Sequence, residues 1–217
     1  QGRAKKCFFQ KHDAGSFGEA VRHVAIEEKD GEAEPYLYID TDEGLMTCVQ
    51  MGTIEFHGWG ARIEDVEKAD RLVFDLDPDV GLDFEAVRFA AFRFRDILKT
   101  IGLETFPMVT GGKGVHVIAP LTPRAEWSEV KDFARRLAVA VAQTEPTKFT
   151  AALPKAQRKG RIFVDYLRNQ RGATAVMPYS ARAREGAPVA APITWKEMET
   201  IVSPARFHVG DQTELLK

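Results

Sequence analysis

The segment Phe74-Asp75-Leu76-Asp77-Pro78 alternates apolar and acidic residues. On a strand this puts both carboxylates on one face, about 6–7 Å apart, while Phe74 and Leu76 point into a core. Pro78 would end such a strand. Two carboxylates on one face repel unless a cation sits between them, and hard divalent ions take oxygen ligands of this kind. The competing readings are a solvated strand end and a calcium loop, since Asp75, Asp77 and Asp79 copy the first half of an EF-hand. The EF-hand fails because it needs Gly where Val80 stands and Glu where Ala86 stands, with no proline inside the loop. Ile162-Phe163-Val164-Asp165-Tyr166 sets a third carboxylate on an apolar strand, and Asp165 is the single acid among nine basic residues between Lys148 and Arg184. Three acids can hold two divalent ions about 3.5–4 Å apart, an arrangement suited to activating an attacking hydroxyl and stabilising a leaving pyrophosphate. A structural salt bridge from Asp165 to Arg161 or Arg168 is the alternative.

Thr110-Gly111-Gly112-Lys113-Gly114-Val115-His116 is a second candidate. It is no Walker A loop, because Lys113 is followed by Gly114 instead of Ser or Thr. It still suits a phosphate: glycines let backbone N–H groups approach an anion, Thr110 adds a hydroxyl, Lys113 adds charge, and His116 lies on the emerging strand. A plain hairpin turn is the other reading. His57, at a strand end beside Gly58, has room for a ligand nearby, although a lone histidine more often only packs. The basic residues from Lys155 to Arg171 are ordinarily a solvated face, but around a metal site they suit phosphate neutralisation. Phe8 and Phe9 beside Lys11 have the types to stack on a base, or else belong to a core. Cys7 with His12 and His23 would need a fourth ligand to hold a metal, and structural cysteines are the simpler reading.

These residues need elements to position them. The spacing predicts strands over Tyr36–Ile39, Thr53–Trp59, Leu72–Leu76 and Arg161–Tyr166, with a helix over Asp42–Met51 and a short late helix over Trp195–Ile201. From Asp83, an N-cap, to Ile101 the apolar residues Phe84, Val87, Ala91, Phe94 and Leu98 recur at helical steps, and Gly102 stops the helix. Thr105–Val109 and Val115–Ala119 flank the glycine loop as a hairpin, and a second amphipathic helix covers Trp127–Ala142. Glu185–Pro192 reads as an ordered loop or edge segment. Hairpin neighbours mixed with helices predict an α+β fold with a mixed or antiparallel sheet and flanking helices.

With 217 residues, 44% of them hydrophobic, the chain can bury a core without disulfides, and one compact domain is the expectation. No run of 18 or more apolar residues occurs, so the expectation is a soluble protein with no membrane partner. Cys7 and Cys48 are far apart, which fits a reducing cytoplasm. The net charge of −2 excludes a uniformly basic nucleic-acid binder and leaves the local patch as the electrostatic signal.

In order, DLDP, TGGKGVH and GRIFVDYLRN resemble the three active-site motifs of the archaeo-eukaryotic primase superfamily, specifically the polymerase domain of bacterial ligase D. CFFQKH, IEFHGW and VMPYSARAREGAPVAAPITW resemble that family too, so the likeness covers nearly the whole chain. What it implies is template-directed addition of nucleotides, with ribonucleotides or deoxyribonucleotides as substrates and Mn2+ or Mg2+ in a two-metal site. The setting would be Ku-dependent non-homologous end joining in a bacterial cytoplasm, at the nucleoid, on DNA ends or gaps bearing a 5′-phosphate. By the same resemblance Asp75, Asp77 and Asp165 hold the metals, with Asp165 also serving the primer hydroxyl, and Thr110, Lys113, His116 and Arg182 hold the triphosphate. His57 touches the incoming sugar and triphosphate, Arg158 belongs to a loop near the metals and primer end, Phe8 and Phe9 stack on template, and Lys11 binds the 5′-phosphate. Members usually carry a further helix and strand before CFFQKH, whereas this sequence starts a few residues ahead of it, so the core is expected to be N-terminally short. The other readings are a primase or template-independent terminal transferase on the same scaffold, a non-catalytic DNA-end binding module, and last a metal-dependent nuclease.

Overall fold

A computed structural model of the chain describes residues 7–12, 15–28 and 30–215. Where length suggests one compact domain, packing divides the chain into two compact units, Gln1–Ile54 and Glu55–Lys217. In the first, strands β1 (Arg22–Glu27) and β2 (Ala33–Tyr38) form an antiparallel pair, followed by helix α1 (Asp42–Gln50). Thr41 caps that helix by accepting the Gly44 N–H at 3.1 Å.

In the second unit the elements run β3 (His57–Gly58), β4 (Ala61–Arg62), β5 (Asp65–Ala69), β6 (Arg71–Pro78), α2 (Phe84–Thr100), β7 (Phe106–Val109), β8 (Val115–Pro120) and α3 (Trp127–Thr144). They continue as β9 (Phe149–Thr150), β10 (Ile162–Asp165), β11 (Ala175–Val176), β12 (Ala191–Pro192) and α4 (Trp195–Thr200). Six strands make the main sheet in the order β12-β7-β8-β6-β10-β9. All pairings in it are antiparallel except β9 with β10, so the sheet is mixed and the α+β expectation holds. The Glu185–Pro192 segment supplies the edge strand β12. The strand expected over Thr53–Trp59 shrinks to His57–Gly58, because its partner β11 is only two residues long. Residues around β3 instead take long-range bonds, such as Phe56 N–H to Ser180 Oγ at 2.8 Å.

One face of the sheet is oily because every second residue of its strands is apolar. Phe74 and Leu76 of β6, Val115 and Val117 of β8, and Ile162 and Val164 of β10 are all buried there. Helix α2 lays Val87, Ala90, Ala91, Phe94 and Leu98 on this face, and Phe94 touches the rings of Phe74 at 4.8 Å and Phe149 at 6.1 Å. Asp83 caps α2 by accepting the Ala86 N–H, and Gly102 follows with φ +81. Helix α3 adds Trp127, Val130, Ala134, Ala138 and Val141 to the same core. With two helices filling one side, alternation sends the acidic residues of β6 and β10 to the other. Among the described residues no helix is long and apolar enough to cross a membrane.

Candidate active site

The opposite face carries the acidic residues. Antiparallel register aligns Asp165 of β10 with Asp75 of β6, and Asp75 with His116 of β8. Directly paired residues share a face, so three functional groups from three strands form one row. Asp77 lies two residues further along β6, opposite Phe163. The three carboxylates singled out from the sequence therefore share one face of the sheet.

Their partners differ. His116 Nε2 lies 3.4 Å from Asp75 Oδ1, and Arg168 Nε donates to Asp75 Oδ2 at 3.2 Å. Arg168 Nη2 also sits 3.2 Å from Asp165 Oδ2, while Asp165 Oδ1 accepts the Leu167 N–H at 2.8 Å. The Asp77 side chain takes no hydrogen bond or ion pair among the described residues. The titration behaviour follows. Burial works to raise the Asp75 carboxyl, but His116 and Arg168 outweigh it and hold that group below the usual range. Burial pushes Asp165 up, with Asp75 adding to the shift and Arg168 opposing it. Burial and then the charges of Asp75 and Asp165 push Asp77 up to about 6.

Arg168 owes its position to its neighbour. The strand β10 ends at Asp165 and the chain turns through a short 3-10 segment, Leu167–Asn169. The buried Asn169 side chain then pairs with β6: Oδ1 accepts the Val73 N–H and Nδ2 donates to the Val73 carbonyl, each at 2.7 Å. Nδ2 also donates to the Tyr166 carbonyl at 2.9 Å. An amide thus replaces a strand at that stretch of β6 and fixes the turn that carries Arg168. From the sequence Arg168 stands out as a salt-bridge partner for Asp165 and as one of the basic residues, and Asn169 only as the last residue of the GRIFVDYLRN motif. An amide's pairing with a strand distant in sequence has no local signature.

The glycine loop follows as the β7–β8 turn. Thr110 is buried, its hydroxyl donating to the Gly114 carbonyl at 2.9 Å and accepting from the Gly112 N–H at 3.3 Å, so it braces the loop. The Gly111 N–H donates to the Pro204 carbonyl at 3.0 Å. Gly111 has φ +64, a conformation glycine takes without strain. Lys113 lies at the tip. Arg182 reaches the loop by donating from Nη1 to the Thr110 carbonyl. Its Nε is 3.2 Å from Glu55, and Glu55 also pairs with His57 Nε2 at 2.9 Å and accepts the Ala183 N–H at 2.7 Å. Burial works to raise the Glu55 carboxyl, but His57, the Ala183 N–H and Arg182 together hold it below its ordinary value. Glu55 is the hub joining His57, Arg182 and the loop, a role that sequence reasoning misses. Its one signal in the sequence is its nearness to His57.

Arg158 stacks its guanidinium 3.5 Å from the centre of the Phe163 ring, which belongs to the residue paired with Asp77. It also donates to the carbonyls of Ala152 and Leu153. Phe8, Phe9 and Lys11 belong to the first unit. Phe8 and Phe9 are exposed, which removes them from any core. Lys11 donates to Glu28 and to the Tyr36 hydroxyl, each at 2.8 Å, and the Glu28 bond raises its pKa. A phosphate would have to compete with Glu28 for that ammonium.

The donor chemistry fits a hard divalent ion: three carboxylates on one face, one of them pushed up by burial and by the other two, a repulsion that a bound cation relieves. His, Cys, Asp and Glu side chains do not converge in a ready-made group of three or more among the described residues. The Arg168 fork holds one oxygen each of Asp75 and Asp165.

A mixed sheet with helices on one face and this acid row on the other fits the class of primase-polymerase cores. The family model described as LigD, primase-polymerase domain, matches residues 1–217, and the chain belongs to that family. It is 41% identical over 204 residues to the multifunctional non-homologous end joining protein LigD of Pseudomonas aeruginosa, a match covering 92% of this chain and 24% of that protein. It is 30% identical over 217 residues to the bifunctional non-homologous end joining protein LigD of Bacillus subtilis, covering 100% of this chain and 34% of that protein. The chain therefore spans about a quarter to a third of the length of these relatives. Among solved structures it is similar to the polymerase domain of Mycobacterium tuberculosis ligase D in complex with DNA, with a TM-score of 0.85 and 32% identity over 95% of this chain and 74% of that one.

Proposed function

We propose that this chain is a template-directed nucleotidyltransferase that fills gaps and extends ends during non-homologous end joining. The observation that carries the reading is the row of His116, Asp75 and Asp165 across three paired strands, with Asp77 beside it. Asp75, Asp77 and Asp165 would hold Mn2+ or Mg2+, which when bound supplies charge neutralisation at the triphosphate and acidifies the primer hydroxyl. The chain's own residues do the rest by positioning. Asp165, aligned with Asp75 in the row, would receive the hydroxyl proton. Lys113 and Arg182 at the glycine loop neutralise the triphosphate, and His57, held by Glu55, faces its sugar end. The Nδ1 of His116 is buried without a hydrogen-bond partner among the described residues, an atom that a nucleotide phosphate or hydroxyl would satisfy.

On the DNA side, Phe8 and Phe9 would stack on template bases, Lys11 would exchange Glu28 for the 5′-phosphate, and Arg158 would contact the primer end. Nucleoside triphosphates and DNA ends or gaps are the proposed substrates, and Ku is the proposed protein partner. The test supplies the chain with manganese, labelled ribonucleotides and a gapped duplex bearing a 5′-phosphate. Template-matched addition by the wild type is expected, with a loss of at least about a hundredfold in Asp75→Ala/Asp77→Ala and in a folded Asp165→Asn. Addition that ignores the template would make the chain a terminal transferase. Duplex binding with no turnover would leave a DNA-end binding module, and full activity in Asp165→Asn would remove that residue from the triad.

A further inference from the structure

The Arg168 guanidinium is bonded to Asp75 Oδ2 and lies against Asp165 Oδ2, 3.2 Å from each, so one fork spans two of the three acids. A divalent ion shared by those carboxylates needs lone pairs on the same side chains. The ion and the guanidinium would draw on the same two carboxylates, whose second oxygens also have partners: Asp75 Oδ1 lies 3.4 Å from His116 and Asp165 Oδ1 accepts the Leu167 N–H. The Arg168 side chain keeps about a third of its surface in solvent, 36%. Its Nη1 also donates to the Thr174 carbonyl at 3.2 Å, a partner it can keep when the acids are taken by an ion.

We propose that Arg168 is a resident counter-cation that competes with the divalent ion for Asp75 and Asp165 and so sets how tightly the site holds metal before substrate arrives. This rests on the reading of the three acids as metal ligands. The guanidinium keeps the acids charged and the fold stable while lowering metal affinity. A nucleotide, whose phosphates bring additional ligand oxygens, then tips the exchange, so metal and nucleotide enter together. A guanidinium that merely orients the acids for the metal would make the opposite prediction, because removing it would weaken binding.

The experiment titrates manganese chloride alone, without nucleotide or DNA, into wild type, Arg168→Gln, Arg168→Lys and Asp77→Asn, reading free Mn2+ by electron paramagnetic resonance and Tm with and without metal. Arg168→Gln is expected to bind Mn2+ about tenfold more tightly than wild type. Its Tm should fall in EDTA and rise further than wild type's on adding manganese. Arg168→Lys keeps the charge but not the two-pronged geometry, so its affinity should lie between. It also carries the test if the Gln variant does not fold. Unchanged or weaker binding in the Arg168 variants, with Asp77→Asn binding poorly, overturns the competitor role while the metal site stands. Binding that Asp77→Asn leaves intact, or no binding by wild type, overturns both.

Discussion

Asp77 is the carboxylate the protein leaves without support. Asp75 has His116 and Arg168, and Asp165 has Arg168 and a backbone N–H, whereas Asp77 is pushed up to about 6 by burial and by the other two acids. The folded chain therefore keeps the Asp77 proton up to about pH 6, whereas the unfolded chain loses it near the ordinary Asp value of about 4. Between those values the native state binds more protons, so stability from this group falls as pH rises through the window and the penalty is complete above it. Asp77→Asn removes the charge with little change in shape. In EDTA it should be more stable than wild type at about pH 7.5, by an increment on the order of 1–3 kcal/mol, and the gap should shrink as pH falls below about 6 and close near about 4. The same variant should lose nucleotide addition, a separation of stability from activity that differential scanning fluorimetry and extension assays together would reveal.

At the scale of elements, the glycine loop and the acid strand are built against each other. A Cβ on Gly114 would stand 2.5 Å from the Leu76 carbonyl oxygen and 3.1 Å from Asp77 Oδ1. The first is backbone and cannot swing away. Gly114→Ala should cost about 1–3 kcal/mol of stability by urea denaturation and should also weaken manganese binding, because β8 must back away from the acid strand. Much at this scale is legible in the sequence. The Asp83 cap, the apolar steps to Leu98 and the stop at Gly102 are local signals, and α2 runs where they place it. The alternation in β6 likewise tells which side chains share a face. Strands β1, β4, β5 and β9 carry no such signal, since short or edge segments gain their identity from a partner. Glu55, Arg168 and Asn169 are hidden for the same reason: their roles consist of bonds to residues 93 to 128 positions away, or to acids that only pairing assembles.

For the whole molecule, charge is a matter of place and not of sum. The chain carries −2 overall, yet residues 148–184 hold nine cations and a single acid. Duplex binding should accordingly be salt-sensitive through a few local contacts, with a log–log slope of about −2 to −5 between roughly 50 and 200 mM salt in fluorescence anisotropy. A flat response would remove this basic segment from the DNA interface. The alternating pattern has a different consequence. Because side chains on a strand change sides at every residue, slipping β6 by one position against β8 or β10 would press Asp75 and Asp77 into the layer now filled by Phe74, Phe94 and Leu76. Burying those charges in oil costs far more than a domain's margin of stability can bear. Chains that mispair are therefore discarded by the same hydrophobic contacts that make the fold. Every molecule that reaches the compact state arrives with its acids aligned, and folding itself serves as quality control for the chemistry.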